Sequence, residues 1–255
     1  MGVQRILWSA GIIKLMALDN GWDSSAEAWI EQVEKDLNRS LVLDAPMLEQ
    51  CGDVSGRRVL DVGCGEGRFC RKLGERGAAT VGVDPTERFI QRCIELDSVG
   101  EYLTASGEDL PFADSTFDLV VSYLVLIDIP DFRAAIQEMA RVLKPGGRLV
   151  MSNLQSFATT RDRPWIRNEA GEKLYFAMDN YNEERGERVE WAGISIVNFH
   201  RPMHMYMNAF IDVGLVLKRY LEPLPSEESV KVAPSYADYL RVPYMVLMTW
   251  EKPIG

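Results

Sequence analysis

Apolar positions recur along the chain with two periods, and the switching between them predicts its elements. Ala26, Trp29, Ile30, Val33, Leu37 and Leu41 fall at three- and four-residue spacing. They predict a helix over 24–50, opened by a capping box at Ser24-x-x-Glu27. Asp53-Val-Ser-Gly56 punctuates it, and Arg58-Val-Leu-Asp-Val62 follows as a short strand closed by glycines. A helix with Phe69 and Leu73 on one face comes next, then a second strand at Ala79–Val83. The helix over Thr86–Leu96 is expected to turn Phe89, Ile90, Cys93 and Ile94 inward. Phe117–Val121 reads as a third strand, Asp131–Leu143 as a helix capped by Asp131, and Arg148–Ser152 as a strand introduced by Pro145-Gly-Gly147.

Strands alternating with helices imply an α/β fold, a parallel sheet covered on both faces. Residues 153–200 break the rhythm, with partial strand character only at Arg188–Asn198, and read as an insertion. Pro202 suits the first turn of a helix ending near Gly214, and Leu215–Tyr220 and Tyr244–Trp250 read as final strands. The expected organisation is a single domain over 1–255. It has an N-terminal helical cap (1–50), a core (51–152), a covering insertion (153–200) and a C-terminal helix with strands (201–255). Residues 1–15 carry no cap or clean period and are expected to be peripheral, with Met16 as an alternative start.

Composition narrows the function. With 47% hydrophobic and 26% charged residues the chain is an ordinary folded domain, and its net charge of −10 argues against a nucleic-acid partner. The densest cationic stretch, Arg161–Arg167, reads as a solvated loop. Cys51, Cys64, Cys70 and Cys93 show no CxxC pairing, and only His200 and His204 could join them, so no metal is expected. Lys14 interrupts the apolar stretch Ile6–Leu18, and no segment reaches the roughly 18 apolar residues of a membrane span. The expectation is a cytoplasmic protein with no membrane partner.

The chemistry is carried by Val59-Leu-Asp-Val-Gly63-Cys-Gly65-Glu-Gly67, where glycines recur at i, i+2 and i+4 directly after a strand. Glycines there let the backbone approach a ligand, and Asp84 at the end of the next strand can accept both hydroxyls of a ribose. The third glycine comes one residue too early for the dinucleotide pattern G-x-G-x-x-G. Neither a Walker loop nor a G-x-S-x-G elbow occurs.

Together with Val81-Gly-Val-Asp84, Gly107-Glu-Asp-Leu-Pro-Phe112, Phe117–Val121 and Val142-Leu-Lys-Pro-Gly-Gly147, this string resembles the class I S-adenosylmethionine-dependent methyltransferases, in particular the group acting on small molecules. The resemblance covers residues 56–152. It implies a Rossmann-like, seven-stranded, mostly parallel sheet with its last strand antiparallel and the insertion after the fifth strand. It implies S-adenosyl-L-methionine as cofactor, with S-adenosyl-L-homocysteine as product. Asp61, Gly63 and Gly65, with Cys64 beside them, would hold the methionine portion, and Asp84 with Pro85 the ribose. Ser106, Gly107 and Glu108 would lie against the adenine, and Ser122 with Tyr123 would line the methionine end. The family commonly has an acid where Ser106 stands, so Ser106 or Glu108 would supply the adenine contact. Many relatives carry a His pair where this chain has Ile127 and Asp128.

A sulfonium that also bears an ammonium is complemented by carboxylates, whereas Asp61 would repel a pyrophosphate. The acceptor is expected to be a small molecule with an O, N or C nucleophile, attacked in line. Trp22, Trp29, Trp165, Tyr175, Phe176, Tyr181 and Trp191 are candidates to wall its pocket, with Trp22, Trp29, Tyr181 and Arg201 taken as substrate-binding. His200 is the candidate acid/base group, because relatives often have His-Arg before this helix; it would either move a proton or orient the acceptor. If it does neither, Tyr123, Tyr181 and Asp128 are the groups to test. Two other readings stay open: a cofactor-binding regulatory or assembly protein without turnover, and a nicotinamide oxidoreductase, which the glycine spacing disfavours.

Overall fold

The computed structural model describes residues 5–6, 20–160 and 164–255. Its first elements are strand β1 (Arg5–Ile6), helix α1 (Trp22–Gln32) and helix α2 (Asp44–Cys51). The alternating core follows as β2 (Arg58–Val62), α3 (Arg68–Gly74), β3 (Ala79–Asp84), α4 (Glu87–Leu96), β4 (Glu101–Thr104), β5 (Phe117–Tyr123), α5 (Phe132–Val142) and β6 (Leu143–Leu154). Four short strands come next: β7 (Trp165–Arg167), β8 (Lys173–Phe176), β9 (Arg185–Trp191) and β10 (Ile194–His200). The chain then runs through α6 (Met203–Asp212), β11 (Val216–Leu221), α7 (Glu227–Val232) and β12 (Met245–Glu251).

Seven strands form one sheet in the order β11-β12-β6-β5-β2-β3-β4. β4, β3, β2, β5 and β6 run parallel, and β12 is antiparallel to both β6 and β11. The fold is therefore Rossmann-like, with its last strand reversed. The central strands are buried on both faces, which is why they read as nearly unbroken apolar runs. Leu60 and Val62 point to the layer of Phe132, Ile136, Tyr206 and Phe210, while Val59, Leu119 and Val121 meet Val42, Met47, Phe69 and Leu73 on the other face.

Three sequence expectations are corrected. The helix expected over 24–50 is broken at Asp36: α1 tightens into a 3-10 turn (Val33–Lys35), and a π-helical turn (Arg39–Leu43) leads directly into α2. Asp36 leaves the helical region and accepts the Asn38 amide at 3.0 Å, a local side-chain bond that competes with helix propagation. The capping box does not form: α1 begins at Trp22, Ser24 donates to the Gly21 carbonyl (3.1 Å), and Glu27 pairs with Arg88 of α4. Ile94 points outward, because α4 covers the sheet margin and only Phe89, Ile90 and Cys93 face the core. Strand β4 went unread because its exposed edge position leaves no apolar alternation.

The described residues of 156–200 lie outside the main sheet. β7 and β8 form one hairpin, and β9 and β10 form another that β1 joins through Arg5 opposite Glu187 and Ile6 opposite Gly186. The rest of 1–15 lies outside the described residues, as do 161–163 of the cationic stretch. The second hairpin is fastened to α1, since the Ser195 amide donates to Ser25 Oγ (3.0 Å) and the Val197 amide to the Asn20 carbonyl (2.8 Å).

Arg201 fastens the same hairpin to the floor of the molecule. Its fully buried guanidinium donates to the carbonyls of Leu126 (2.9 Å), Ile129 (2.8 Å) and Pro130 (2.8 Å) and to Glu184 (2.9 Å), between the rings of Phe132 and Phe199. Replacing it with an apolar side chain strands three carbonyls, each unsatisfied buried group costing about 1–3 kcal/mol. Arg201→Met is expected to lower unfolding stability by about 2–4 kcal/mol after partial relaxation. Urea denaturation measures this; an unchanged midpoint would refute the clamp.

Candidate active site

A cavity of about 630 Å³ opens beyond the carboxyl ends of β2, β3 and β5, where ligands of open α/β sheets bind. The loop after β2 shapes its floor. Gly63, Gly65 and Gly67 all adopt left-handed backbone conformations (φ 71°, 55° and 81°). A side chain at Gly63 would collide with Val125, whereas one at Gly65 would enter open space, its nearest neighbour being Trp29 Nε1 at 3.7 Å. The glycines therefore serve both packing and access. Leu124, immediately after β5, also holds a left-handed conformation (φ 59°) on the cavity wall, a strained geometry for a side chain of its type.

Asp84 anchors this loop. Its Oδ2 accepts the Gly65 amide (3.0 Å) and its Oδ1 the Thr86 amide (2.9 Å). Burial nevertheless pushes its pKa up to about 6, against those bonds. Asp61 is buried at the end of β2, with Oδ2 receiving the Cys70 thiol at 3.6 Å and Oδ1 without a partner. Burial raises its pKa to about 7. Behind the loop, the thiols of Cys64 and Cys93 contact the Gly65 carbonyl at 3.5 and 3.2 Å, so Cys64 packs the loop as well as lining the cavity.

The next wall is Ser106-Gly107-Glu108. Ser106 donates to Glu108 Oε2 (2.8 Å), and Glu108 Oε1 accepts the Asp131 amide (2.8 Å), which fixes the carboxylate. Tyr123 donates to Asp44 (2.9 Å). Burial favours the neutral acid at Asp44, yet its pKa is lowered overall because Arg68 grips it through both oxygens (2.9 and 2.5 Å). The roof carries Trp22 and Trp29, set edge to face at 5.6 Å, with the Arg39 guanidinium over Trp29 and Tyr123 at 5.1 and 5.0 Å. Asp128 faces the cavity from the loop held by Arg201; it accepts from Asn198 of β10 beside the Trp22 indole, and desolvation, outweighing both, pushes its pKa up to about 8.

Of the residues singled out from the sequence, Asp61, Gly63, Cys64, Gly65, Asp84, Pro85, Ser106, Gly107, Glu108, Tyr123, Trp22 and Trp29 all border this one cavity. Others do not. Ser122 is fully buried and absent from the wall, since alternation along β5 turns it away from the side that Tyr123 takes. His200 is buried, with Nδ1 bonded to Thr159 Oγ1 (2.7 Å) and Nε2 to the Tyr181 carbonyl (2.8 Å). Burial lowers its pKa, and it has no nitrogen facing the cavity, which removes it as the acid/base group. Tyr181 receives the Met203 amide (2.9 Å), and Arg201 is the clamp described above, so both act in the frame of the site and not on a ligand.

Trp165 and Phe176 pack edge to face in a separate cluster with Tyr244, while Tyr175 and Trp191 are exposed. Arg39 and Leu124 were not anticipated: Arg39 sits in a helical pattern that hides its direction, and no sequence signal marks a left-handed leucine. Among the described residues no group of three or more His, Cys, Asp or Glu is placed to hold a metal, and no helix is long and apolar enough to cross a membrane.

Comparison with known proteins identifies the core. Residues 60–151 match the family described as Methyltransferase domain. This stretch is a methyltransferase domain. An S-adenosylmethionine dependent methyltransferase from Mesorhizobium loti superposes with a TM-score of 0.74 at 27% identity, over 81% of this chain and 96% of that one. An uncharacterized methyltransferase of Mycobacterium sp. (strain JLS) is 37% identical over 137 residues, 52% of each chain. A demethylmenaquinone methyltransferase of Tropheryma whipplei (strain Twist) is 38% identical over 104 residues, 39% of this chain and 43% of that protein. The matches thus span about half the length of these curated relatives.

The raised acids of this domain set a pH dependence. The folded protein retains protons on Asp61, Asp84 and Asp128 that the unfolded chain gives up near pH 4, so their contribution is full below that pH and is lost as pH rises to about 8. The melting temperature of the ligand-free protein is expected to fall between about pH 5 and 8.5, and Asp61→Asn should flatten the profile. Scanning calorimetry across pH checks it.

Proposed function

We propose that the protein is an S-adenosylmethionine-dependent methyltransferase acting on a small molecule. The observation that carries the reading is the unpartnered, buried Asp61 Oδ1 beside a glycine loop open to the cavity. An ammonium on the ligand would satisfy that oxygen, and a nearby sulfonium would favour the ionised forms of all three acids. A pyrophosphate would do the reverse. The cavity lies within the roughly 300–1,000 Å³ of ordinary ligand pockets.

In this reading Asp61 and the Gly63–Gly65 backbone receive the methionine portion of the donor. Asp84 retains lone pairs for the ribose hydroxyls after its two amide bonds. Ser106-Gly107-Glu108 flanks the adenine, with Glu108 held still by Asp131. When bound, the donor supplies a methyl group already activated by its positive sulfur. The chain's task is to hold an acceptor in line with it, since alignment alone supplies much of such a rate enhancement. Trp22 and Trp29 close the cavity from above and exclude water, and Tyr123 and Leu124 bound it from below. The demethylmenaquinone relative makes quinone-type rings one acceptor class to test.

Titration calorimetry with S-adenosylmethionine and S-adenosylhomocysteine tests the donor site. Asp84→Ala is expected to weaken both at least about tenfold, the loss of a charged acceptor at 1.5–3 kcal/mol. Gly65→Val is expected to abolish binding, because its branched side chain fills the approach to the loop and strains a left-handed position. Melting curves establish that each variant is folded. Unchanged affinity in both would overturn the reading.

A further inference from the structure

Resting on the methyltransferase reading, we propose that Asp128 is the general base of the reaction and that the acceptor is an aromatic hydroxyl. Asp128 is the point where floor and roof of the cavity meet. It belongs to the 126–130 loop, which Arg201 staples through three of its carbonyls and which the Phe199 amide joins at the Ile127 carbonyl (2.7 Å). Its carboxylate accepts from Asn198 of β10 and lies beside the Trp22 indole of α1. A carboxylate offers about four acceptor positions, so these neighbours aim it and leave places for a substrate proton. The other charged groups acting on it are Arg39, which favours the carboxylate, and Asp84, which opposes it; Asp23 and Glu108 border the same cavity.

The walls beside Asp128 suit a flat apolar ring. Trp22 packs against Trp29 and, at 5.8 Å, against Phe89, and Val125 and Ile129 complete the lining. Acid strength selects the attacking group. A half-buried carboxylate pushed up to about 8 by desolvation stands within about two units of a phenol-like hydroxyl, whose reference value is about 10. An aliphatic alcohol lies far outside that range, and a carboxylate acceptor would need no base. In the step, the phenol oxygen forms a bond to the methyl carbon as the carbon–sulfur bond breaks and its electron pair stays on sulfur. The hydroxyl proton passes to Asp128 and then to water.

The experiment uses the full-length protein with labelled donor and three probes: catechol, hydroquinone and 4-hydroxybenzoate. The wild type is expected to methylate at least one of them, with turnover rising with pH and levelling at or below about pH 8, since the donor's sulfonium lowers Asp128 from its ligand-free value. Asp128→Asn should lower kcat roughly 10²- to 10⁴-fold while S-adenosylhomocysteine binds within about twofold of wild type. Asp128→Glu should restore part of the rate. A readout independent of turnover is indole fluorescence of the ligand-free protein, since the Trp22 indole lies beside Asp128: the wild type should show a transition near pH 8 that Asp128→Asn lacks. Full turnover by Asp128→Asn, or a flat wild-type pH profile, would overturn the base. Donor binding with no methylation of any phenol would overturn the acceptor class. Failure to bind the donor at all would instead overturn the methyltransferase reading.

Discussion

The structure is organised around the cost of withdrawing carboxylates from water at the ends of apolar strands. Asp61, Asp84 and Asp128 end or follow segments that form the hydrophobic centre, and burial weakens each as an acid. An unpaired buried charge is among the most expensive things a fold can contain. Here the expense is met by two means. Asp84 is bonded to the backbone of two loops, and the strands beneath bury Leu60, Val62, Val83 and Val121 completely. The remaining deficit, at Asp61 Oδ1, is left open toward the cavity, where only a cation or a proton removes it.

The same logic explains why arginines concentrate beneath the site. Arg201 satisfies carbonyls that a tight irregular loop leaves without sheet partners, and a planar guanidinium with five donors can serve several at once. Arg68 does the corresponding work under Tyr123 by holding Asp44. Arg201 fixes the floor without entering the cavity, whereas Arg68 borders it while gripping Asp44. Arg39, which borders it, stacks on Trp29 and Tyr123 and tempers the acids from one side.

Where a segment's role follows from local pattern, it was legible in the sequence. The runs at Arg58–Val62, Ala79–Val83 and Phe117–Val121 predict central strands because both their faces are buried, and the glycine spacing after Val62 predicts a loop that approaches a ligand. The donor-side acids follow from that frame. The acceptor side does not, because it is made by contacts distant in sequence: Asn198 with Asp128, Ser25 with Ser195, Arg201 with Leu126. His200 illustrates the difference. Its position between the insertion and a helix suggested a catalytic group, and the fold spends both of its nitrogens on Thr159 and Tyr181. The sequence marks Asp128 only as a secondary candidate, at a place where relatives carry a His pair, and its character comes from desolvation and from Asn198 and Trp22, brought to it from opposite ends of the chain.

The cysteines behind the glycine loop have a use that their chemistry conceals. Burial raises the Cys70 thiol well above its ordinary range, so it is protonated, and with Cys93 it is shut off from solvent, whereas Cys64 borders the cavity. The thiolate is the form that alkylating reagents attack. Reaction at Cys70 or Cys93 therefore requires the packing behind the loop to open. These two sulfur atoms thus form a built-in clock, in which the rate of labelling counts the openings of the floor on which a donor would rest.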